Sequence, residues 1–248
     1  HALVGENGAG KSTFIKVISG AHHADEGEML LDGNKVDFRN TRDAKDAGIA
    51  TIYQQATVYP HLTVAENIFM GHELVKGGRI RWNEMNKPAN ELLSDLGADF
   101  KATDEVEILS VAQQQMLEIA KALSLDARII IMDEPTAALT MQESQLLYEI
   151  TERLRDSGTS IIFISHRFED IFRLASRATV FRDGKYIDTF NVDEITSDDL
   201  IQAMVGREIS DLFPKVRSDI GEEVLRVENL SRTGYFHDVS FNVHQGEI

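Results

Sequence analysis

The chain has 248 residues, of which 42% are hydrophobic and none is cysteine, and its 25 Lys and Arg against 41 Asp and Glu give a formal net charge of −16. This length supports one sizeable globular unit, and the acidic balance disfavours general binding to nucleic acid or to an anionic membrane. The absence of cysteine excludes disulfides and suits a reducing cytosol, and no apolar run approaches the roughly 20 residues that cross a bilayer.

Glycine turns separate short apolar runs in the first part of the chain. Residues 5–11 form a glycine-rich loop that leads into a helix predicted over residues 12–19. The sequence Asp32-Gly33-Asn34 predicts a hairpin turn. Strands are predicted in this part of the chain at residues 2–4, 29–31, 35–38 and 49–53.

A helical block interrupts the strand pattern over residues 63–125. Thr63 and Glu66 fit a capping box at its start. Apolar residues then recur with helical periodicity over residues 83–96 and 111–123. We therefore expect a helical subdomain that is inserted into an α/β core.

The second part of the chain returns to strands that alternate with helices. Residues 129–132 are a continuous apolar run, as expected for a central parallel strand that is covered on both faces. Thr140 and Glu143 fit the start of the next helix. The elements predicted after it are a strand over residues 160–164, hairpin strands over 178–181 and 185–190, and a helix over 198–205. Residues 1–62 and 126–206 would then form one α/β core with a mainly parallel sheet and a small antiparallel part.

The phosphate-binding pattern GxxxxGK[ST] is matched by GENGAGKS at residues 5–12. Its glycines let backbone N–H groups surround phosphate oxygens, while Lys11 can reach the β- and γ-phosphates and Ser12 can offer its hydroxyl to Mg²⁺. The helix that follows presents its positive end to the anion. The nucleotide-binding residues predicted in this loop are Gly5, Asn7, Gly8, Gly10, Lys11, Ser12 and Thr13.

Two strand ends supply further polar side chains. Asp133 and Glu134 follow the run over residues 129–132. There, Asp133 can hold Mg²⁺ and Glu134 can orient and deprotonate an attacking water. His166 follows the strand over residues 160–164, at the edge of a parallel sheet where ligands bind. A contact of His166 with a γ-phosphate and a structural role both remain open from the residues alone.

The order of these motifs resembles that of the ABC ATPase family, a family of P-loop NTPases, over residues 2–207. Gln54 matches the family's glutamine that senses Mg²⁺ and couples to the membrane partner, and Gln55 is the neighbouring alternative. His166 resembles the family's switch histidine. The resemblance thus implies the catalytic residues Glu134, His166 and Gln54, and the metal-binding residues Ser12, Gln54 and Asp133.

The sequence LSVAQ at residues 109–113 resembles the signature motif of the family. The resemblance implies that Ser110 and Gln113 contact the nucleotide held by the opposite monomer. Val111 and Ala112 stand where the family usually has two glycines. A β-carbon at Ala112 is expected to crowd the approach of a phosphate to the backbone.

The resemblance implies a subunit that binds ATP and Mg²⁺, hydrolyses ATP and lies in the cytoplasm on the inner face of the cell membrane. The partners implied are transmembrane permease subunits, a second ATP-binding cassette and, indirectly, a sugar-binding protein, but no nucleic acid. Residues 63–71, 109–123 and 204–207 are similar to fused ATPases of ribose, galactose and xylose importers, so monosaccharide import is expected. The alternatives are a soluble ABC-type ATPase acting on ribosomes or DNA, which the charge of −16 disfavours, and a non-ABC P-loop kinase.

The last part of the chain reads as a linker over residues 207–223 and then as alternating strands over 224–248. Residues 224–248 resemble the opening strands of a second, truncated cassette. The family has comparable strands ahead of its phosphate-binding loop. We expect the tail strands to fill that edge by folding back or by swapping between molecules, and we expect weak or absent ATP turnover by this chain alone.

Overall fold

The computed structural model describes residues 1–53, 57–206 and 220–247, and the chain divides into two units, His1–Gly206 and Arg207–Ile248. The strands of the described residues are β1 (Ala2–Val4), β2 (Met29–Leu31), β3 (Asn34–Val36), β4 (Ile49–Ile52), β5 (Val75–Lys76), β6 (Arg79–Ile80), β7 (Ile129–Asp133), β8 (Ser160–Ile164), β9 (Arg177–Arg182), β10 (Lys185–Asn191), β11 (Glu223–Arg232) and β12 (Phe236–His244). Their α-helices are α1 (Lys11–Ile18), α2 (Thr41–Asp46), α3 (Val64–Ile68), α4 (Trp82–Leu96), α5 (Val111–Leu123), α6 (Met141–Asp156), α7 (Phe168–Leu174) and α8 (Ser197–Val205).

A six-stranded sheet in the order β10-β9-β1-β8-β7-β4 carries the first unit. Its strands are parallel except for the edge strand β10, which pairs antiparallel with β9. This confirms the predicted α/β core with a mainly parallel sheet. The carboxyl ends of β1, β7 and β8 consequently lie along one edge.

The apolar run of β7 explains why this strand lies inside the sheet. Ile130 and Met132 are fully buried in the core cluster that includes α5, whereas Ile131 is fully buried in the cluster that includes Ile15 of α1. Successive side chains of a strand point to opposite faces. Helices therefore cover β7 on both sides, as its continuous hydrophobicity predicts.

Three helices, α3, α4 and α5, pack against one another within residues 63–125. Their contact surfaces consist of fully buried side chains such as Ile68, Met85 and Leu117. The capping box predicted at the start of α3 is present, since Thr63 N donates to Glu66 Oε2 at 2.7 Å and Glu66 N donates to Thr63 Oγ1 at 3.3 Å.

The block over residues 63–125 also contains two short strands that were not predicted. The short strands β5 and β6 form a hairpin in this block. Gly77 and Gly78 supply its turn with φ angles of 60° and 74°, which glycine adopts without a β-carbon clash. Helices α2 and α7 were also not predicted, because each is short, with six and seven residues.

In the first predicted hairpin, the turn ends one residue earlier than expected. Asp32 and Gly33 have φ angles of 50° and 77° and form the two-residue turn, so that Asn34 already pairs with Leu31. Strand β3 therefore begins at Asn34 and not one residue later. Helix α1 likewise begins at Lys11, one residue before its predicted start.

The tail strands β11 and β12 pair antiparallel in a two-stranded sheet, which confirms the predicted strands. Completion of another sheet by these strands stays a prediction. None of the helices that the described residues form has the length and apolar character to cross a membrane.

Two adjacent leucines of α6 test the core. Leu147 is 4% exposed in the main cluster, whereas Leu146 is 37% exposed. We expect Leu147→Ala to lower the free energy of unfolding by about 2–5 kcal/mol, because the truncation leaves a cavity. Leu146→Ala, the matched control, is expected to cost less than about 1 kcal/mol. Chemical denaturation measures both, and equal losses would contradict this assignment of the core.

Candidate functional site

A glycine-rich loop joins β1 to α1 and surrounds the side chain of Lys11. Gly10, the N-cap of α1, has a φ of 98°, which strains any residue with a β-carbon. A β-carbon at Gly5 would lie 2.2 Å from the carbonyl oxygen of Phe181. Both glycines are therefore required by the path of the loop.

The ammonium group of Lys11 lies inside this loop. Lys11 is buried, and its Nζ donates to the carbonyl oxygens of Gly5 at 2.6 Å and Glu6 at 3.0 Å. Burial lowers the pKa of Lys11, against the opposite influence of Glu134 and Asp133. The loop thus presents a cation together with the positive N-terminal end of α1.

The other predicted loop residues line the same turn. Asn7, Gly8, Ser12 and Thr13 are exposed, and Gly8 has a positive φ of 85°. Ser12 stands in the first turn of α1, directly after Lys11. Its hydroxyl is accessible from solvent, as a ligand for a bound metal ion must be.

Two carboxylates stand where β7 ends. Asp133 pairs with Ile164 of β8, and the next N–H, that of Glu134, donates to the Ile164 carbonyl at 2.9 Å. Burial and the neighbouring Glu134 raise the pKa of Asp133, while Lys11 and His166 act to lower it. Asp133 therefore carries a negative charge that its surroundings compensate incompletely, and a bound cation would stabilise that charge.

The side chains of Glu134 and His166 meet at the ends of neighbouring strands. His166 Nε2 lies 2.5 Å from Glu134 Oε1. The His166 side chain is 48% exposed and that of Glu134 is 18% exposed, so both can reach a ligand at the sheet edge. Glu134 has a φ of 49°, a left-handed conformation that is uncommon for a residue with a side chain.

The residues present fit Mg²⁺ bound together with a nucleotide. Among residues 1–53, 57–206 and 220–247 there is no cluster of three or more His, Cys, Asp or Glu side chains that could hold a metal ion. Mg²⁺ needs no such cluster when phosphates and waters complete its octahedral shell. The Ser12 hydroxyl and the undercompensated Asp133 carboxylate are suitable oxygen ligands. Gln54 and Gln55 lie outside the described residues.

Residues 1–137 match the family described as ABC transporter. The chain belongs to this family. Over its full length it is 49% identical to a ribose import ATP-binding protein of Rhodococcus jostii and 45% identical to one of Bacillus subtilis. The chain spans about half the length of these curated relatives, 50% in each case.

Solved structures of the ABC transporter family share the fold of this chain. An ATP-binding cassette in its ADP conformation superposes with a TM-score of 0.71 at 24% identity, over 83% of this chain and 87% of that one. A nucleotide-free cassette gives a TM-score of 0.69 at 23% identity, over 83% of both chains. At this identity the likeness shows the fold alone.

The segment that resembles the signature motif, residues 109–113, lies at the start of α5. Ser110 is the N-cap, its Oγ accepts from Gln113 N at 3.3 Å, and Gln113 Oε1 accepts from Ser110 N at 2.8 Å. Gln113 Nε2 also donates to Asp99 Oδ1 at 2.8 Å. Ala112 lies inside the helix, where a residue with a β-carbon is accommodated. Within the described residues, no hydrogen bond or ion pair joins Ser110 or Gln113 to the phosphate-binding loop.

Sequence reasoning missed one polar group beside the site, the buried carboxylate of Asp170 in α7. It accepts hydrogen bonds from Thr136, Tyr148 and Ser165. In the sequence, Glu169 and Asp170 resemble the acidic residues that commonly begin a helix, so the pattern gives no signal for a buried acid. The pairing of β7 with β8 brings Thr136 and Ser165 together, and the packing of α6 on α7 adds Tyr148.

The pKa of Asp133 predicts how this cassette responds to pH. Folding raises this pKa above its ordinary value. Between the ordinary pKa and the raised pKa, the folded chain therefore binds more protons than the unfolded chain. The stability of the folded chain falls as the pH rises through this interval. We expect Asp133→Asn to raise the melting temperature near pH 7, because the amide carries no charge for burial to oppose.

The gain from Asp133→Asn should shrink as the pH falls towards about 4, where the carboxyl is protonated in the folded chain and about half protonated in the unfolded chain. Thermal unfolding from pH 4 to pH 8 measures this, with Asp25→Asn, at an exposed position, as the control. A gain that is the same at every pH would show that the charge of Asp133 is not its origin.

Proposed function

We propose that this chain binds and hydrolyses ATP and thereby powers the import of a monosaccharide by an ABC transporter. The observation that carries the proposal is the 2.5 Å contact between His166 and Glu134, beside a phosphate-binding loop that encloses Lys11. In the proposed reaction Glu134 would act as the general base beside the terminal phosphate, and its contact with His166 supports that role. Membership of the ABC transporter family supports the same activity.

Each residue of the site has a separate role in the proposed hydrolysis. Lys11, the loop N–H groups and the start of α1 bind the phosphates. Glu134 takes a proton from water as the water oxygen bonds to the γ-phosphorus, and the bond from that phosphorus to the ADP oxygen breaks. His166 contacts the γ-phosphate and orients Glu134. Ser12, Asp133 and Gln54 would hold Mg²⁺, which supplies positive charge that neutralises the phosphate oxygens.

The sugar and the partners are inferred from relatives. The proteins that share 45–49% identity with this chain are named as ribose import ATP-binding proteins, which supports a monosaccharide as the cargo. We infer transmembrane permease subunits, a second cassette and, indirectly, a sugar-binding protein as partners. Such an ATPase acts in the cytoplasm, on the inner face of the membrane. Ser110 and Gln113 would then contact the nucleotide that the second cassette holds.

Two lysines on α1 test nucleotide binding. Lys11 lies in the phosphate-binding loop, whereas Lys16 is exposed in the last turn of the same helix. We expect Lys11→Ala to weaken ATP binding by about 10- to 100-fold, the effect of losing a charged hydrogen-bond partner of ~1.5–3 kcal/mol. Calorimetric titration with Mg²⁺ and ATP measures this, and Lys16→Ala should bind as the wild type does. Equal binding by all three proteins would rule out the loop as the nucleotide site.

The role of Glu134 as the general base can be tested separately from ATP binding. We expect Glu134→Gln to retain ATP affinity while the rate of hydrolysis falls by about 10²–10⁴-fold, since the amide cannot accept the proton. Glu91→Gln, at an exposed position of α4, is the control. A single-turnover assay with excess protein measures the rate, and an unchanged rate in Glu134→Gln would assign the base elsewhere.

A further inference from the structure

The carboxylate of Asp170 is fully buried, at 0% exposure, in the first turn of α7. A buried carboxylate is costly unless hydrogen bonds compensate for the water it has lost. Its Oδ2 accepts from Thr136 Oγ1 and from Ser165 Oγ, both at 2.6 Å. Both hydroxyl-bearing residues are themselves buried, at 2% and 3% exposure. One oxygen atom therefore joins two separate segments of backbone.

These two segments carry the catalytic pair. Thr136 lies two residues after Glu134, in a turn that the N–H of Ala137 closes by donating to the Glu134 carbonyl at 3.1 Å. Ser165 directly precedes His166, and the Ser165 Oγ also accepts from the N–H of Arg167 at 3.0 Å. The peptide that follows His166 is thus hydrogen-bonded to the hydroxyl of the residue that precedes it.

The second oxygen of Asp170 faces other groups. Asp170 Oδ1 accepts from the Tyr148 hydroxyl of α6 and lies 3.9 Å from Arg167 Nε. Burial, together with the bond to Asp170, raises the pKa of Tyr148, so its phenol stays protonated as a donor. Oδ2 therefore serves the two catalytic loops, and Oδ1 anchors the carboxylate to α6 and to Arg167.

The backbone conformation of Glu134 explains why the hydrogen bonds from Thr136 and Ser165 to Asp170 matter. A left-handed φ is unfavourable for a residue with a side chain and persists only where its surroundings hold it. Glu134 has such a φ, 49°, and its carboxylate must meet His166 at 2.5 Å. Small movements of either loop would separate the pair.

We propose that Asp170 is a positioning residue, whose Oδ2 clamps Thr136 and Ser165 and so holds Glu134 against His166. It acts through these hydroxyls, because its own side chain is fully buried. The catalytic consequence rests on the proposed ATP hydrolysis, whereas the clamp itself is a property of the folded chain. The two can therefore be tested apart.

Three substitutions in the full chain separate the clamp from general stability. Thr136→Val removes the hydroxyl at nearly constant shape, Thr136→Ser keeps it, and Tyr148→Phe removes a bond to the other oxygen. Amide hydrogen exchange without nucleotide, resolved to single residues, reports on the N–H groups of Glu134 and Ala137. We expect about tenfold or faster exchange in Thr136→Val, and unchanged exchange in Thr136→Ser and Tyr148→Phe.

Single-turnover hydrolysis of ATP with Mg²⁺ gives the second readout. Thr136→Val should slow hydrolysis by about ten- to a hundredfold, as expected when a catalytic group is misplaced, with ATP affinity unchanged. Thr136→Ser and Tyr148→Phe should keep the wild-type rate. The same loss in Tyr148→Phe would make Asp170 a structural residue only, and wild-type exchange in Thr136→Val would overturn the clamp. Turnover by this chain alone is expected to be weak, so if the wild-type chain shows no hydrolysis, amide exchange alone decides this inference.

Discussion

The parallel pairing of β7 with β8 is the constraint on which the candidate site depends. Its register sets Asp133 beside Ile164, and the hydrogen bond from Glu134 N to the Ile164 carbonyl extends the pairing one residue beyond the strand. The carboxylate of Glu134 and the imidazole of His166 meet because β7 and β8 end side by side in the sheet. A slip of one residue would turn Asp133 and its neighbours to the opposite face and separate the two groups.

Local rules explain the parts that the sequence predicts well. Gly10 must adopt a positive φ before α1, and the continuous run of β7 can be buried only inside a sheet, so the loop and the central strand follow from residue type and spacing. The contact between Glu134 and His166 could be anticipated only as a shared sheet edge. The 2.5 Å geometry depends on strand register, which local patterns do not encode.

Other features escape prediction because long-range contacts decide them. Asp170 resembles an ordinary acidic residue at a helix start, yet residues up to 34 positions away in the chain bury it and donate to it. The hairpin of β5 and β6 spans too few residues for alternation to stand out from the helical block around it. Composition and periodicity describe single segments of the chain, whereas these features depend on contacts between several segments.

The hydrogen bonds of Lys11 to Gly5 and Glu6 have a consequence for how a nucleotide would be received. The ammonium group donates to two carbonyl oxygens of its own loop and thereby holds the backbone around it. A phosphate that binds there must compete with these carbonyl oxygens for the donors of the ammonium group. Affinity at such a site therefore depends on the difference between the two sets of hydrogen bonds, and the loop carbonyls act as internal competitors of the ligand.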